Sequence, residues 1–451
     1  MNRMKFEVDS QTLKDLEIFD TVKDGTSVFS LFNHTQCYGG RRILYNFLSN
    51  PLTDLEKITE RTDTIAFFQK YLPEGLSVDK DSLDFTEYYI RHGDYPTRIP
   101  TWFTALERMI MDKISTNTEY YLVKKGVGST VDLLKTIYAF SHVLADKFKG
   151  NSYPKLLEKN NEKVLEIFSS NDYADIIKLG RKIPSYETSR LDYMFRYTHK
   201  KDILFFLDLI YEYDAFLSIA KAADKYGLSY AEMLPADDNR LEIDGLYHPF
   251  VEGAIPNDMR FEKPSNLLFI SGPNMAGKST FLKALGLSAY LAHVGFPVPA
   301  KSMSLSILSG LCTTINISDN LSSGYSHFYA EVMRIKDVAR KLKTHRNMLV
   351  IFDELFRGTN VKDAYDGTLA VVNAFTEVKS SFFVISSHIV EVTKELEANK
   401  NIEFSYFEIL EQDGHPVYTY KLKDGISQVR LGMYIIKKEG LIEFINEINQ
   451  S

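Results

Sequence analysis

The sequence predicts two domains of different class: an α/β P-loop domain over residues 241–451, preceded by a mostly α-helical domain over residues 1–240. Three observations predict this. Apolar residues ahead of residue 240 recur at helical spacing. Beyond it, short β-branched and aromatic runs alternate with helical stretches, and one such run leads straight into a glycine-rich loop and a helix. In the first half, Leu55, Ile58, Thr62, Ile65 and Ala66, and later Phe205, Leu209, Tyr213, Phe216 and Ala220, each trace one apolar stripe along a long helix. Breaks are expected at Asn50-Pro51, 93–100, 126–129, 150–154 and Ile183-Pro184, where glycine or proline chemistry stops a helix. Strands are expected at 266–271, 348–352, 382–386, 402–409 and 417–422, the last two joined across Asp413-Gly414.

Composition bounds the function. A chain of 451 residues with 44% hydrophobic content can bury a large core, and its length suggests two or three domains. A net charge of -7 gives the surface as a whole no attraction for nucleic acid, so such contact would need a local basic patch. Lys124-Lys125, Lys178 with Arg181-Lys182, and Arg196 with Lys200-Lys201 supply candidates, interleaved with Tyr186 and Tyr197. The same charges serve equally to solvate exposed helix faces. Cys37 and Cys312 stand far apart, which suits a reducing, cytoplasmic setting and excludes a disulfide framework. The N-terminus has no apolar run behind its charges, and no stretch is apolar for the ~18 residues a spanning helix needs, so neither export nor a membrane is expected.

Three motifs carry chemistry. The strand LLFIS runs into GPNMAGKST, where Gly272, Gly277, Lys278 and Ser279 fit the phosphate-loop pattern between a strand and a helix over 280–292. Glycines let backbone N–H groups wrap phosphate oxygens, and the following helix aims its positive end at them. The expected nucleotide contacts are Gly272, Pro273, Asn274, Met275, Ala276, Gly277, Lys278, Ser279 and Thr280, with Lys278 on the β- and γ-phosphates and Ser279 on Mg²⁺. The second motif, MLVIFDELFRGTN, delivers Asp353 and Glu354 at a strand end. Asp353 would coordinate Mg²⁺, directly or through water, and Glu354 would polarise the attacking water. A third strand, FFVISSH, ends in His388, placed to sense the γ-phosphate or orient the water. The expected catalytic set is therefore Glu354, His388 and Lys278, and the expected metal ligands are Ser279 and Asp353.

These stretches together resemble the ABC-type ATPase domain of the MutS mismatch-repair family. The family's G-P-N-M-G-G-K-S-T differs here only at Ala276. GLYHPFVEGAIPND resembles its R-H-P segment and nucleotide-base loop, with Asn257 matching and Ile255 standing where an aromatic is usual. SDNLSSGYSHFYAEV resembles its form of the ABC-type signature, which implies that Ser326 meets the γ-phosphate of a partner subunit. RGTN at 357–360 resembles the segment after the acidic pair, and YKLKDGISQVRLGMYIIKKEGL resembles a tail that supports dimerisation. In the helical half, the stretch holding Cys37, Gly40, Arg42 and Leu44, and the later LDLIYEYDAFLSIAKAADKYG, resemble the family's core and lever. The likeness spans nearly the whole chain.

The resemblance implies a homodimer that binds ATP with Mg²⁺ and couples ATP binding and hydrolysis to clamp closure on double-stranded DNA, bound non-specifically or by its structure, in mismatch repair or a related repair or recombination process. It also implies a truncated form, without the mismatch-recognition and connector domains that open full-length relatives. Phe85-Thr86-Glu87 and Phe375-Thr376-Glu377 share the spacing of the family's mismatch wedge but are read as structural, since they fall inside the core and the ATPase domain. The alternative is an ABC-like motor that remodels or scaffolds a protein partner, motivated by the acidic balance and the missing wedge.

Overall fold

The computed structural model describes residues 5–19, 26–72, 76, 79–92, 118–149, 153–180, 182–273, 275–315, 327–412 and 415–427; among these described residues the first half of the chain is helical and named strands begin at Glu232. The helices in order are α1 (Ser10–Asp15), α2 (Val28–Phe32), α3 (Tyr38–Ser49), α4 (Leu55–Tyr71), α5 (Lys80–His92), α6 (Thr118–Phe148), α7 (Lys155–Phe168), α8 (Asn171–Ile177), α9 (Ser185–Tyr193) and α10 (Lys200–Tyr226). A π-helical turn, Met194–Thr198, precedes α10. Among the described residues no helix is long and apolar enough to cross a membrane.

Breaks fall where Asn50-Pro51 and Ile183-Pro184 predict them, and one helix ends at Phe148 and the next starts at Lys155, on either side of the break expected at 150–154, of which 150–152 lie outside the described residues. The break expected at 126–129 is absent, because α6 runs through it unbroken. Gly126 is there for close approach: a Cβ would lie 2.4 Å from the ring of Tyr89 on α5. The Thr130 hydroxyl donates to the Gly126 carbonyl at 2.8 Å one turn on, so contact with α5 offsets the low helix propensity of glycine. The expected break at 93–100 lies outside the described residues. Buried Asp214 of α10 ties the same unit together by accepting the N–H groups of Gln36 (2.9 Å) and Cys37 (3.0 Å) at the start of α3.

The chain divides into two compact units, and not at one cut near residue 240. Phe29–Ser49 and Thr59–Lys225 form the helical unit, whereas Met1–Val28 and Asn50–Ile58 belong with Tyr226–Ser451. The strands of the latter are β1 (Glu232–Leu234), β2 (Leu241–Leu246), β3 (Asn257–Arg260), β4 (Leu267–Ser271), β5 (Ser302–Ser306), β6 (Gly310–Thr314), β7 (Met348–Asp353), β8 (Phe382–Ser387), β9 (Ile402–Gln412) and β10 (His415–Asp424). Between them lie α11 (Lys278–Val294), α12 (His327–Thr344), α13 (Val361–Thr376) and α14 (Val392–Leu396). One sheet has the order β1-β5-β2-β3, the other β10-β9-β4-β8-β7-β6. In the larger sheet β9, β4, β8, β7 and β6 are parallel and β10 is an antiparallel edge. β4, β7 and β8 are buried at every residue, as strands covered on both faces must be. Phe269, Val350, Phe352 and Phe383 pack with Val338 of α12 and Val372 and Phe375 of α13.

The N-terminal residues join this unit by covering the free edge of β6. Glu7 bridges Gly310 in parallel register, donating its N–H to Ser309 O at 2.8 Å and accepting that of Leu311 at 2.9 Å. Asp15 then accepts the Thr313 hydroxyl (2.8 Å) and the Ile315 N–H (2.9 Å), and Asp9 takes Arg334 of α12 at 2.6 Å. The 50–58 segment is held by His293 near the end of α11. Leu52 N–H donates to the His293 carbonyl at 2.7 Å, the ring Nδ1 lies 2.7 Å from Leu52 O, and Nε2 accepts the Leu308 N–H at 3.2 Å. With Nε2 accepting, Nδ1 carries the proton and the ring is neutral.

Burial holds the His293 pKa down at about 4, against an ordinary value of 6.5. A depressed histidine contributes stability that is complete above the unfolded value and lost as the pH falls from 6.5 toward 4. Urea unfolding is therefore expected to show about 2 kcal/mol less stability from this group at pH 5 than at pH 7.5. A His293→Asn variant, which keeps a donor for Leu52 O without a titrating ring, should show a correspondingly shallower pH dependence. Equal slopes for the two proteins would disprove the assignment.

Candidate functional site

The site begins where β4 ends. Gly272 (φ 144°), Met275 (φ 69°) and Gly277 (φ 106°) adopt positive φ, which bends the chain back between the buried strand and α11. Lys278, the first residue of α11, is only 4% exposed and reaches back across the loop, with Nζ donating to the carbonyls of Gly272 (2.6 Å) and Pro273 (3.2 Å). Burial pulls its pKa below the usual lysine range, and the nearby Glu354 charge opposes that shift. The Ala276 methyl is buried, while Met275, Ser279 and Thr280 face outward. Asn274 lies outside the described residues.

Asp353 is the last residue of β7. One of its oxygens accepts the Ser279 hydroxyl at 2.5 Å and the other the Ser386 hydroxyl of β8 at 2.5 Å. Glu354 follows with φ 59°, its N–H donating to Ser386 O at 3.1 Å. Phe356, two residues on, has φ 62°, so the turn holds two non-glycine residues in a conformation costing about 1–3 kcal/mol each. Two cations and an imidazole surround the Glu354 carboxylate: Arg357 Nε at 2.9 Å, Lys278 Nζ at 3.4 Å and His388 Nδ1 at 3.4 Å. Burial pushes the Glu354 pKa up, but the His388 hydrogen bond and the charges of Arg357 and Lys278 outweigh it and bring the pKa down to about 2. The Arg357 guanidinium also lies 3.5 Å from Asp353. His388 stands just beyond β8 with its side chain 48% exposed.

Lys278, Ser279, Thr280 and Glu354 line a cavity of about 590 Å³ that widens between an apolar wall and the 247–257 segment. Phe407 and Tyr420 form that wall. Phe407 packs edge-on to Phe281 with ring centroids 5.9 Å apart, and Tyr420 is 47% exposed at an irregularity in the β9–β10 pairing. Ile255 faces the same cavity. Asn257 lines it too, but its amide donates to Ile255 O (3.1 Å) and Tyr420 O (3.0 Å), and its carbonyl accepts the Leu422 N–H at 2.7 Å. The residue thus fastens the 255–257 turn to β10. His248, also on the cavity, is held to a pKa of about 4 by burial and the Lys283 charge, with Glu17 opposing.

Lys278, Ser279, Asp353, Glu354 and His388 therefore converge, while Ser326 lies outside the described residues. Sequence reasoning missed Ser386, Phe407 and Tyr420 as members of the cluster, and marked Arg357 only through its RGTN segment and not as a partner of Glu354. Arg357 had a signal, since three residues after Glu354 on a tight turn it can fold back over the carboxylate. The other three come from distant strands and carry no local pattern.

The architecture is that of a mixed α/β protein with a helical N-terminal part. Residues 268–450 match the family model of MutS domain V, and residues 11–220 match that of MutS domain III. The DNA mismatch repair protein MSH7 of Arabidopsis thaliana is 24% identical over 493 residues, covering 96% of this chain and 43% of the relative. The DNA mismatch repair protein MutS of Petrotoga mobilis is 24% identical over 97% of this chain and 63% of the relative. MutS of Lactococcus lactis subsp. cremoris is 33% identical over 248 residues, which is 53% of this chain and 29% of the relative. The chain belongs to the MutS family. It spans less than two thirds of the length of each of these relatives.

Proposed function

We propose that the chain is a Mg²⁺-dependent ATP hydrolase whose α/β unit is a P-loop domain of ABC type, and that ATP binding pairs two copies into a clamp on DNA. One observation carries the catalytic part: Lys278 and Ser279 at a helix start meet Glu354 at a strand end on one cavity at the carboxyl edge of a parallel sheet, with Asp353 bonded to Ser279 just behind it. The positive end of α11 and the Lys278 ammonium favour the phosphates, and the apolar wall of Phe407, Tyr420 and Ile255 suits a base. The Ser279 hydroxyl and Asp353 carboxylate, 2.5 Å apart, are a pair of hard oxygens that would hold Mg²⁺ alongside substrate phosphates. Bound there, the ion would neutralise charge developing on the phosphates.

Glu354 is the general base of this reading. With Lys278 and Arg357 against it the carboxylate holds a proton poorly, and phosphates that draw Lys278 away return basicity to it. His388, half exposed and hydrogen-bonded to Glu354, orients the water or senses the γ-phosphate. The names of the relatives support DNA as the partner, and the likeness around Ser326 supports composite sites in a homodimer. Sedimentation with ATP is expected to show dimers. Binding to homoduplex, mismatched and branched DNA is expected to weaken steeply as salt rises. Affinity for a protein partner, with DNA binding absent at low salt, would favour the remodelling alternative, which the net charge of -7 motivates.

A further inference from the structure

Glu331 sits in α12, one turn from its start, and is 5% exposed. One carboxylate oxygen accepts the Arg357 N–H at 3.2 Å and lies 3.4 Å from His327 Nδ1, and the carboxylate also takes the Gly358 N–H. A buried carboxylate is costly unless such donors meet it, and its position calls for a reason. The surrounding contacts supply one. The rings of Phe328 and Phe356 lie 5.6 Å apart, and Gly358 is pressed so closely on α12 that a Cβ would stand 2.7 Å from Phe328 N. The first turn of α12 is thus bolted to the turn after β7, the one with left-handed Glu354 and Phe356.

We propose that Glu331 is a positioning residue for hydrolysis: by holding the Arg357 backbone it fixes the Arg357 guanidinium against Asp353 and Glu354. This rests on the reading of that site as ATP-hydrolysing. Arg357 reaches Glu354 at 2.9 Å only because the turn places its Cα there, and among the described contacts Glu331 is the side chain that accepts its N–H. Nothing in the role requires contact between Glu331 and nucleotide. Its loss should therefore act on turnover and leave binding alone.

The test compares Glu331→Ala, Glu331→Gln, Arg357→Ala and the double Glu331→Ala/Arg357→Ala variant in the full chain with Mg²⁺ and ATP. Glu331→Ala is expected to lower kcat by about 10- to 100-fold, the size of effect a roughly 1 Å misplacement produces, with ATP Kd within about twofold of the unaltered chain. Glu331→Gln, whose amide carbonyl still accepts the N–H, should recover most of the loss. The double variant should be no slower than Arg357→Ala alone, because the two act as one unit. Should Glu331→Ala not fold, Gly358→Ala applies the same displacement by forcing the turn off α12, and its loss should vanish in the Arg357→Ala background. Losses that multiply, or an undiminished kcat in Glu331→Ala, overturn the positioning role while leaving the ATPase reading intact. Absence of hydrolysis in the unaltered chain overturns both.

Discussion

Lys278→Ala is expected to weaken ATP binding on the order of a hundredfold, about 3 kcal/mol, the scale of hydrogen bonds to a charged group. The ammonium is held by the Gly272 and Pro273 carbonyls and the Glu354 carboxylate, so it is aimed across the loop where phosphates would lie. Removing it also frees the loop from its internal tether and leaves Glu354 with the Arg357 guanidinium and the His388 ring as its neighbours. Isothermal titration with a non-hydrolysable ATP analogue checks it. A Kd within a few-fold of the unaltered chain would show that Lys278 serves the fold and not the ligand.

Glu354→Gln is expected to leave ATP affinity within a few-fold and to cut kcat by about 10²–10⁴, the contribution of a positioned general base. The amide fills the same volume, keeps the left-handed backbone at φ 59° and can still accept from Arg357. What it cannot do is take a proton from water. Unchanged steady-state hydrolysis in this variant would remove Glu354 from the mechanism, and a large loss of affinity instead would recast it as a binding residue.

How much of this is legible in the sequence depends on whether the information is contiguous. β4, β7 and β8 read as strands because each is an unbroken buried run, and the stretches around Lys278 and Glu354 read as a site because each lies within a dozen residues. The smaller sheet was not legible. β2 is interrupted at Asp244 and at Gly245 with φ 64°, β5 alternates serine with apolar residues, and β3 is the polar NDMR, so none offers a long apolar pattern. Gly126 reads as part of a helix break in sequence because the Tyr89 ring that explains it comes from another helix. The assignment of 1–28 to the α/β unit likewise depends on the free edge of β6, some 300 residues further along. Asn257 shows the limit for single residues: its place in a motif marks the cavity, but its amide is tied to backbone that lies about 160 residues away in sequence, at Tyr420 and Leu422.

Phosphate release from ATP by the purified chain, followed with Mg²⁺ and again with excess chelator, tests the central claim most directly. The account predicts multiple turnovers that require the ion and fall to background in Glu354→Gln. Release that persists at the same rate in the chelator, or in that variant, would contradict it.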